Sequence, residues 1–141
     1  PELARFLDAW GHDRLVLDKW FALQVARARP DRAVAVAEAL TRHPLFDPHN
    51  PNRFRAVLGA LSANQAGFHD PSGAGYRLLA DWLLRMDATN PVTAARASVA
   101  FDSWRRLEPG RRALAEAQLD RLQAAPDLSR DLSEMVARMR A

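Results

Sequence analysis

Two Asn-Pro pairs, Asn50-Pro51 and Asn90-Pro91, stand forty residues apart, and each opens a run of helical periodicity. Asparagine is a strong N-cap, and proline is tolerated in the first helical turn because its missing N–H has no intrahelical partner there. A helix start that recurs at this interval predicts stacked helix pairs of the HEAT or armadillo kind. Chains of that kind build an extended curved surface more readily than a compact catalytic pocket.

The rest of the sequence reads the same way. Glu2 to Trp10 is a short first helix ended by Gly11. From Asp13 to about Ala28 runs the most apolar segment; Leu15, Val16, Leu17, Trp20, Phe21, Leu23 and Val25 cover most of its circumference, the pattern of a helix buried all round. Pro30 breaks it, and Asp31 is placed to cap a helix running to about His43. Pro44 to Asn50 is a loop. After Pro51, the residues Phe54, Val57, Leu58 and Leu61 fall at i, i+3, i+4 and i+7. Periodicity fails between Asn64 and Gly75, where Asp70-Pro71-Ser72-Gly73-Ala74-Gly75 is turn chemistry. It resumes at Tyr76, Leu79, Ala80 and Leu83, and again after Pro91 with Ala97, Ala100, Phe101 and Trp104 on one face. A weaker helix after Pro109-Gly110 carries Leu114, Leu119 and Leu122. Beyond Pro126, Leu128, Leu132, Met135, Val136 and Met139 form a clean stripe. The expected fold is all-α: about eight helices in antiparallel pairs forming a HEAT/armadillo-like superhelical solenoid, with residues 1–141 as one domain.

Composition narrows the function. At 48% apolar and 26% charged residues, the profile is that of an ordinary globular protein. No apolar run reaches the roughly 20 residues needed to span a bilayer, and the first residues lack the layout of a signal peptide. The absence of cysteine removes disulfides, thiolate chemistry and the commonest structural zinc sites, and fits a cytoplasmic protein. Of the 20 cations only Lys19 is lysine, and the arginines are spread along the chain among 17 acids. A nucleic-acid footprint is clustered and lightly opposed, so neither nucleic acid nor membrane is the expected partner. A start at Pro1 rather than Met reads as a piece of something longer.

Catalytic patterns are absent from the sequence. His12, His43, His49 and His69 are scattered and form no HExxH, the spacing by which a helix binds zinc and positions a base. No serine sits in G-x-S-x-G. Ser72-Gly73-Ala74-Gly75 lacks the Lys-Ser/Thr of a phosphate loop and reads as a turn at a helix start. Trp10, Trp20, Trp82 and Trp104 occupy apolar helical positions and read as core. The arginines near the Asn-Pro starts stand out: Arg53 and Arg55 after Pro51, and Arg96 after Pro91. Guanidinium groups there suit bidentate recognition of a peptide carboxylate, and equally suit a helix-to-helix ion pair.

Several segments together carry a resemblance. Leu17-Asp18-Lys19-Trp20-Phe21-Ala22-Leu23-Gln24, Asn50-Pro51-Asn52-Arg53-Phe54-Arg55, Phe68-His69, Gly73-Ala74-Gly75-Tyr76, Asn90-Pro91 and Asp127-Leu128-Ser129-Arg130-Asp131-Leu132 occur in the order and positions of the C-terminal region of the bacterial aminopeptidase N family, M1 zinc metallopeptidases. The resemblance spans nearly the whole chain. It implies a C-terminal helical domain that caps the active site and helps shape the passage for peptides, while zinc, the general-base Glu and the Gly-x-Met-Glu-Asn motif belong to a thermolysin-like catalytic domain of the same polypeptide. On that resemblance this chain itself needs no cofactor and is not an enzyme alone, and the parent releases N-terminal amino acids from peptides. Arg55 and Arg96 match family arginines facing the peptide cavity; Asn52 and Arg53 belong to the same motif, and Val92 stands where some relatives carry a polar residue. The competing reading is a free-standing HEAT-like scaffold that binds a protein partner.

Overall fold

A computed structural model of the chain describes residues 13–141 together with Glu2, Ala4, Arg5 and Asp8. The expected end of a first helix at Trp10-Gly11, and the roles read for Trp10 and His12, lie outside the described residues. The chain divides into two compact units, Pro1–Gly67 and Phe68–Ala141. Every regular element among the described residues is helical.

In the first unit, helix α1 spans Arg14–Ala26. Asp13 caps it, its carboxylate accepting from the N–H groups of Leu15 and Val16 at 3.0 and 3.3 Å, which satisfies donors no helix can satisfy internally. Leu17, Trp20, Phe21 and Val25 are buried. The all-round burial expected of this helix is not found: Leu15 is 75% and Leu23 50% exposed. Among the described residues of the unit, α1 packs chiefly on α2, Ala33–Thr41, and on the helix that follows Pro51. Nor does Asp31 cap α2. Arg32 holds the cap position in a helical conformation, and Asp31 pairs with Arg29 at 3.3 Å on the surface.

The helix after Pro51 has three parts: α3, Pro51–Phe54; a π-helical turn, Arg55–Gly59; and α4, Ala60–Ala63. Asn50 caps it through its side-chain oxygen, which takes the N–H groups of Asn52 and Arg53 at 3.0 and 3.3 Å. Phe54, Val57, Leu58 and Leu61 are all buried, as their spacing predicts. Asn64 ends the helix and ties it to α1, donating from Nδ2 to the carbonyls of Val25 and Ala28 at 3.0 and 3.1 Å. A single turn, α5, Gln65–Phe68, follows; its Gly67 sits so close to α2 that an added Cβ would lie 2.5 Å from that of Ala33.

In the second unit, α6, Ala74–Asp87, buries Tyr76, Leu79, Ala80, Leu83 and Met86. Gly73 precedes it at φ +78°, a left-handed conformation that glycine adopts without steric cost. Helix α7, Pro91–Ala97, starts under the cap of Asn90, whose side chain accepts from the Thr93 N–H at 3.1 Å. The single stripe expected through Ala97, Ala100, Phe101 and Trp104 is replaced by a change of helix type. Two 3₁₀ turns, Ser98–Phe101 and Trp104–Arg106, follow α7. Three residues per turn align Ser98, Phe101 and Trp104, and these are the buried positions, leaving Ala97 and Ala100 half-buried. Helix α8, Pro109–Ala124, is capped by the Glu108 carboxylate and buries Ala115, Leu119 and Leu122. Helix α9, Arg130–Arg140, buries Leu132, Val136 and Met139. Helix α6 packs on α7 and α8, and α9 closes over α7, α8 and the first 3₁₀ turn. Trp20, Trp82 and Trp104 are core residues as expected; Trp104 donates from its indole to the Met139 carbonyl at 3.0 Å.

Candidate functional site

The Asn50-Pro51 helix start places three of the four candidate residues. Arg53 is 4% exposed. Its Nε donates to Asp18 of α1 at 2.5 Å, its Nη1 donates to the Leu45 carbonyl, and its guanidinium lies 5.3 Å from the centre of the Phe21 ring. These contacts fasten the new helix to α1 and to the preceding loop, and the ion pair is shielded from water. Arg55 points the other way. It is exposed, and its Nη2 donates to the side-chain oxygen of Asn52 at 2.6 Å. No carboxylate among the described residues lies within ion-pair distance of it. Asn52 is also exposed, so the motif divides into a buried anchor and an outward polar pair. An open basin of about 670 Å³ flanks the helix start, walled by Arg14, Asp18, Asp47, His49, Asn52 and Arg53.

In the second unit, Arg96 is exposed near the end of α7 and makes no ion pair among the described residues. It borders a groove of about 290 Å³ between α7 and α9, with Val92, Ala95 and Met135 as apolar walls and Asp131, Glu134 and Arg138 at the edges. Several other arginines are ion-paired: Arg42 with Glu38, Arg121 with Asp81, Arg130 with Glu134 and Arg140 with Asp120, all at 2.6 to 2.9 Å. Among the described residues neither Arg55 nor Arg96 makes an ion pair, although Asp131 and Glu134 share the groove that Arg96 borders. The two arginines belong to different units.

The described histidines are structural or exposed. His43 packs against Trp20 and Phe21 and accepts the Leu45 N–H at 3.1 Å. His49 is exposed, and its backbone N–H is taken by Asp47 at 2.9 Å. His69 is half-buried against an aromatic cluster. Its Nδ1 is 2.7 Å from the hydroxyl of Tyr76, beside Phe68, while Arg111 Nε donates to its carbonyl at 2.5 Å. Burial, and secondarily the Arg111 guanidinium, hold its pKa below the ordinary imidazole value; burial raises the Tyr76 phenol. Asp70 is lowered by its hydrogen bonds from the Ser72 hydroxyl and N–H, and Glu108 by the N–H groups of Arg111 and Gly110. Both are turn and cap carboxylates serving the backbone. Among the described residues no three His, Asp or Glu side chains converge as metal ligands, so these residues do not fit a zinc site. No helix among them is long and apolar enough to cross a membrane.

Two polar residues central to the structure carry little signal in the sequence. Asp18 lies inside the apolar first helix, where only its position opposite a future Arg53 gives it meaning. Asp87, at the C-terminal end of α6, is 6% exposed. It accepts from both the N–H and the hydroxyl of Ser129, at 2.8 and 2.5 Å, and so orients the residue that caps α9. The macrodipole disfavours a carboxylate at that helix end, which marks its partner as the reason for its placement.

Helices of three to four turns or less, joined by Asn-Pro and Glu-Pro starts and displaying unpaired arginines on their surfaces, define an all-α helical-repeat protein without a metal-binding cluster among the described residues. The chain belongs to the family described as Domain of unknown function (DUF3458_C) ARM repeats, whose model matches residues 1–141. It is similar to Aminopeptidase N of Caulobacter vibrioides, 48% identical over 137 residues, covering 96% of this chain and 16% of that protein. Aminopeptidase N of Haemophilus influenzae is 41% identical over 135 residues, and that of Escherichia coli 33% over 132; the alignments cover 95% and 93% of this chain and 15% of each relative. A solved structure of Legionella pneumophila aminopeptidase A in complex with aspartic acid superposes with a TM-score of 0.88 at 30% identity, covering 97% of this chain and 16% of that one. The chain therefore spans about a sixth of the length of the relatives it matches.

Proposed function

We propose that residues 1–141 are the C-terminal, non-catalytic helical domain of a cytoplasmic M1-type aminopeptidase N, capping the active site and shaping the cavity through which peptides enter and leave. The observation that carries this reading is the alignment of 96% of this chain, at 48% identity, with part of a protein of that name. In this reading the zinc ion, which activates water and polarises the scissile carbonyl, belongs to a thermolysin-like domain elsewhere on the polypeptide. This chain's contribution is steric and electrostatic. Arg55 and Arg96, each exposed and without an ion pair among the described residues, each supply positive charge that attracts peptide carboxylates; Arg53 keeps the Pro51 helix in place. Attraction of this kind strengthens capture without acting on the reacting bond, so it acts on KM rather than kcat.

The test uses the intact longer polypeptide. Replacing both Arg55 and Arg96 by Ala is expected to raise KM about tenfold for di- and tripeptides with free carboxylates, with kcat unchanged and amidated peptides unaffected. The isolated chain, given zinc and an aminoacyl-anilide, is expected to release no product. Unaltered KM values across peptide lengths, or hydrolysis by the isolated chain, would overturn the reading.

A further inference from the structure

We infer that Asn52 is a positioning residue for Arg55: its side-chain oxygen holds one guanidinium nitrogen so that the remaining N–H groups face an incoming carboxylate. This deepens the function proposed above and rests on Arg55 meeting the peptide.

The geometry is local and specific. Asn52 lies in the first turn of α3, and Arg55 opens the π-helical turn three residues later. Residues three apart on a helix are neighbours. Nη2 of Arg55 donates to Oδ1 of Asn52 at 2.6 Å, a short bond to a charged donor. Asn52 is itself fixed, its backbone N–H bonded at 3.0 Å to the capping side chain of Asn50. Arg53 cannot compete for the amide, being committed to Asp18 and the Leu45 carbonyl on the buried side.

What matters chemically is the choice of an amide. A long exposed arginine loses rotamer freedom when it binds a ligand, which weakens binding. A carboxylate at position 52 would order the side chain equally well but would cancel its charge. The neutral amide orders it and leaves the full positive charge for the ligand. Nη2 carries two hydrogens; Asn52 takes one, and the other stays parallel to the N–H of Nε or of Nη1, neither of which has a partner among the described residues. Two parallel N–H donors are what bidentate carboxylate recognition needs.

The experiment is a double-mutant cycle in the intact polypeptide, read as KM and kcat for tripeptides with free and amidated C-termini. Asn52→Ala is expected to raise KM about two- to tenfold for the free acid, with kcat and amidated-peptide kinetics unchanged. In an Arg55→Ala background the same substitution is expected to change nothing further. Asn52→Asp keeps the hydrogen bond but neutralises the guanidinium, so its KM is expected to rise at least as far as that of Asn52→Ala and to depend less on ionic strength than the wild type. If Arg55→Ala raises KM while Asn52→Ala does not, or if Asn52→Ala acts equally in both backgrounds, the positioning role is overturned and the role of Arg55 stands. Should Arg55→Ala leave KM unchanged, the functional reading itself fails and this inference with it.

Discussion

Arg53 and Arg55 stand two positions apart in one helix and turn to opposite environments: Arg53 is sealed against Asp18 and Phe21, whereas Arg55 is exposed and, among the described residues, hydrogen-bonded to the amide of Asn52. One residue type in one motif therefore supplies a fold contact and a free surface charge. Their removal should differ in kind. Arg53→Ala leaves Asp18 without its partner and the Leu45 carbonyl without a donor, and is expected to lower stability by about 3 kcal/mol. Arg55→Ala is expected to stay within about 0.5 kcal/mol of the parent. Urea denaturation of both variants measures the difference; similar midpoints would contradict the assignment of Arg53 as the anchor.

The contact between Asp87 and Ser129 joins the end of α6 to the start of α9. Asp87→Ala would leave the N–H and hydroxyl of Ser129 without their acceptor and loosen a cap. A loss of about 2 kcal/mol is expected, together with faster amide exchange in the first turn of α9. Protection of that turn unchanged from the wild type would refute the link.

His69 gives the second unit a pH dependence. Burial and Arg111 lower its folded pKa below the unfolded value, so the unfolded chain binds the proton more readily. Stability is then complete above the unfolded pKa and declines as pH falls through the folded one. Between about pH 7.5 and pH 5.5 the wild type should lose stability relative to His69→Gln. The effect is expected to be below about 1 kcal/mol, because solvent reaches the ring. Parallel pH profiles for the two proteins would show that His69 is not responsible.

Gly75 allows the first turn of α6 to lie against the backbone of Phe68. A Cβ there would sit 2.2 Å from the Phe68 carbonyl oxygen, which belongs to the main chain and has little room to yield. Gly75→Ala is expected to destabilise by about 3 kcal/mol or more despite alanine's better helix propensity. Thermal melting at or above the wild-type midpoint would refute this close approach.

Much of the architecture could be read from local signals. Asn50 and Asn90 cap the helices they were expected to cap, and the Phe54, Val57, Leu58 and Leu61 stripe is wholly buried, because capping and periodicity depend on residues within a turn or two of each other. The armadillo-type repeat named by the family model agrees with the forty-residue interval. Expectations failed where distant neighbours decide, and where two local arrangements compete. Leu15 and Leu23 looked buried because hydrophobicity was judged without knowing how many neighbours α1 has within its unit. Asp31 looked like a cap because its side chain suits one, yet Arg29 holds it instead. The register change after Ala97 was hidden because apolar residues three apart satisfy both α and 3₁₀ spacing.

The chain's own residues thus determined helical class, the helix starts at Asn50-Pro51 and Asn90-Pro91, and the absence of HExxH, since each depends on short-range pattern alone. Tertiary structure decided which arginine is an anchor and which is free. Arg53 and Arg55 are chemically identical and almost adjacent; only the arrival of Asp18 and Phe21 from a helix some thirty-five positions earlier desolvates one and leaves the other in water.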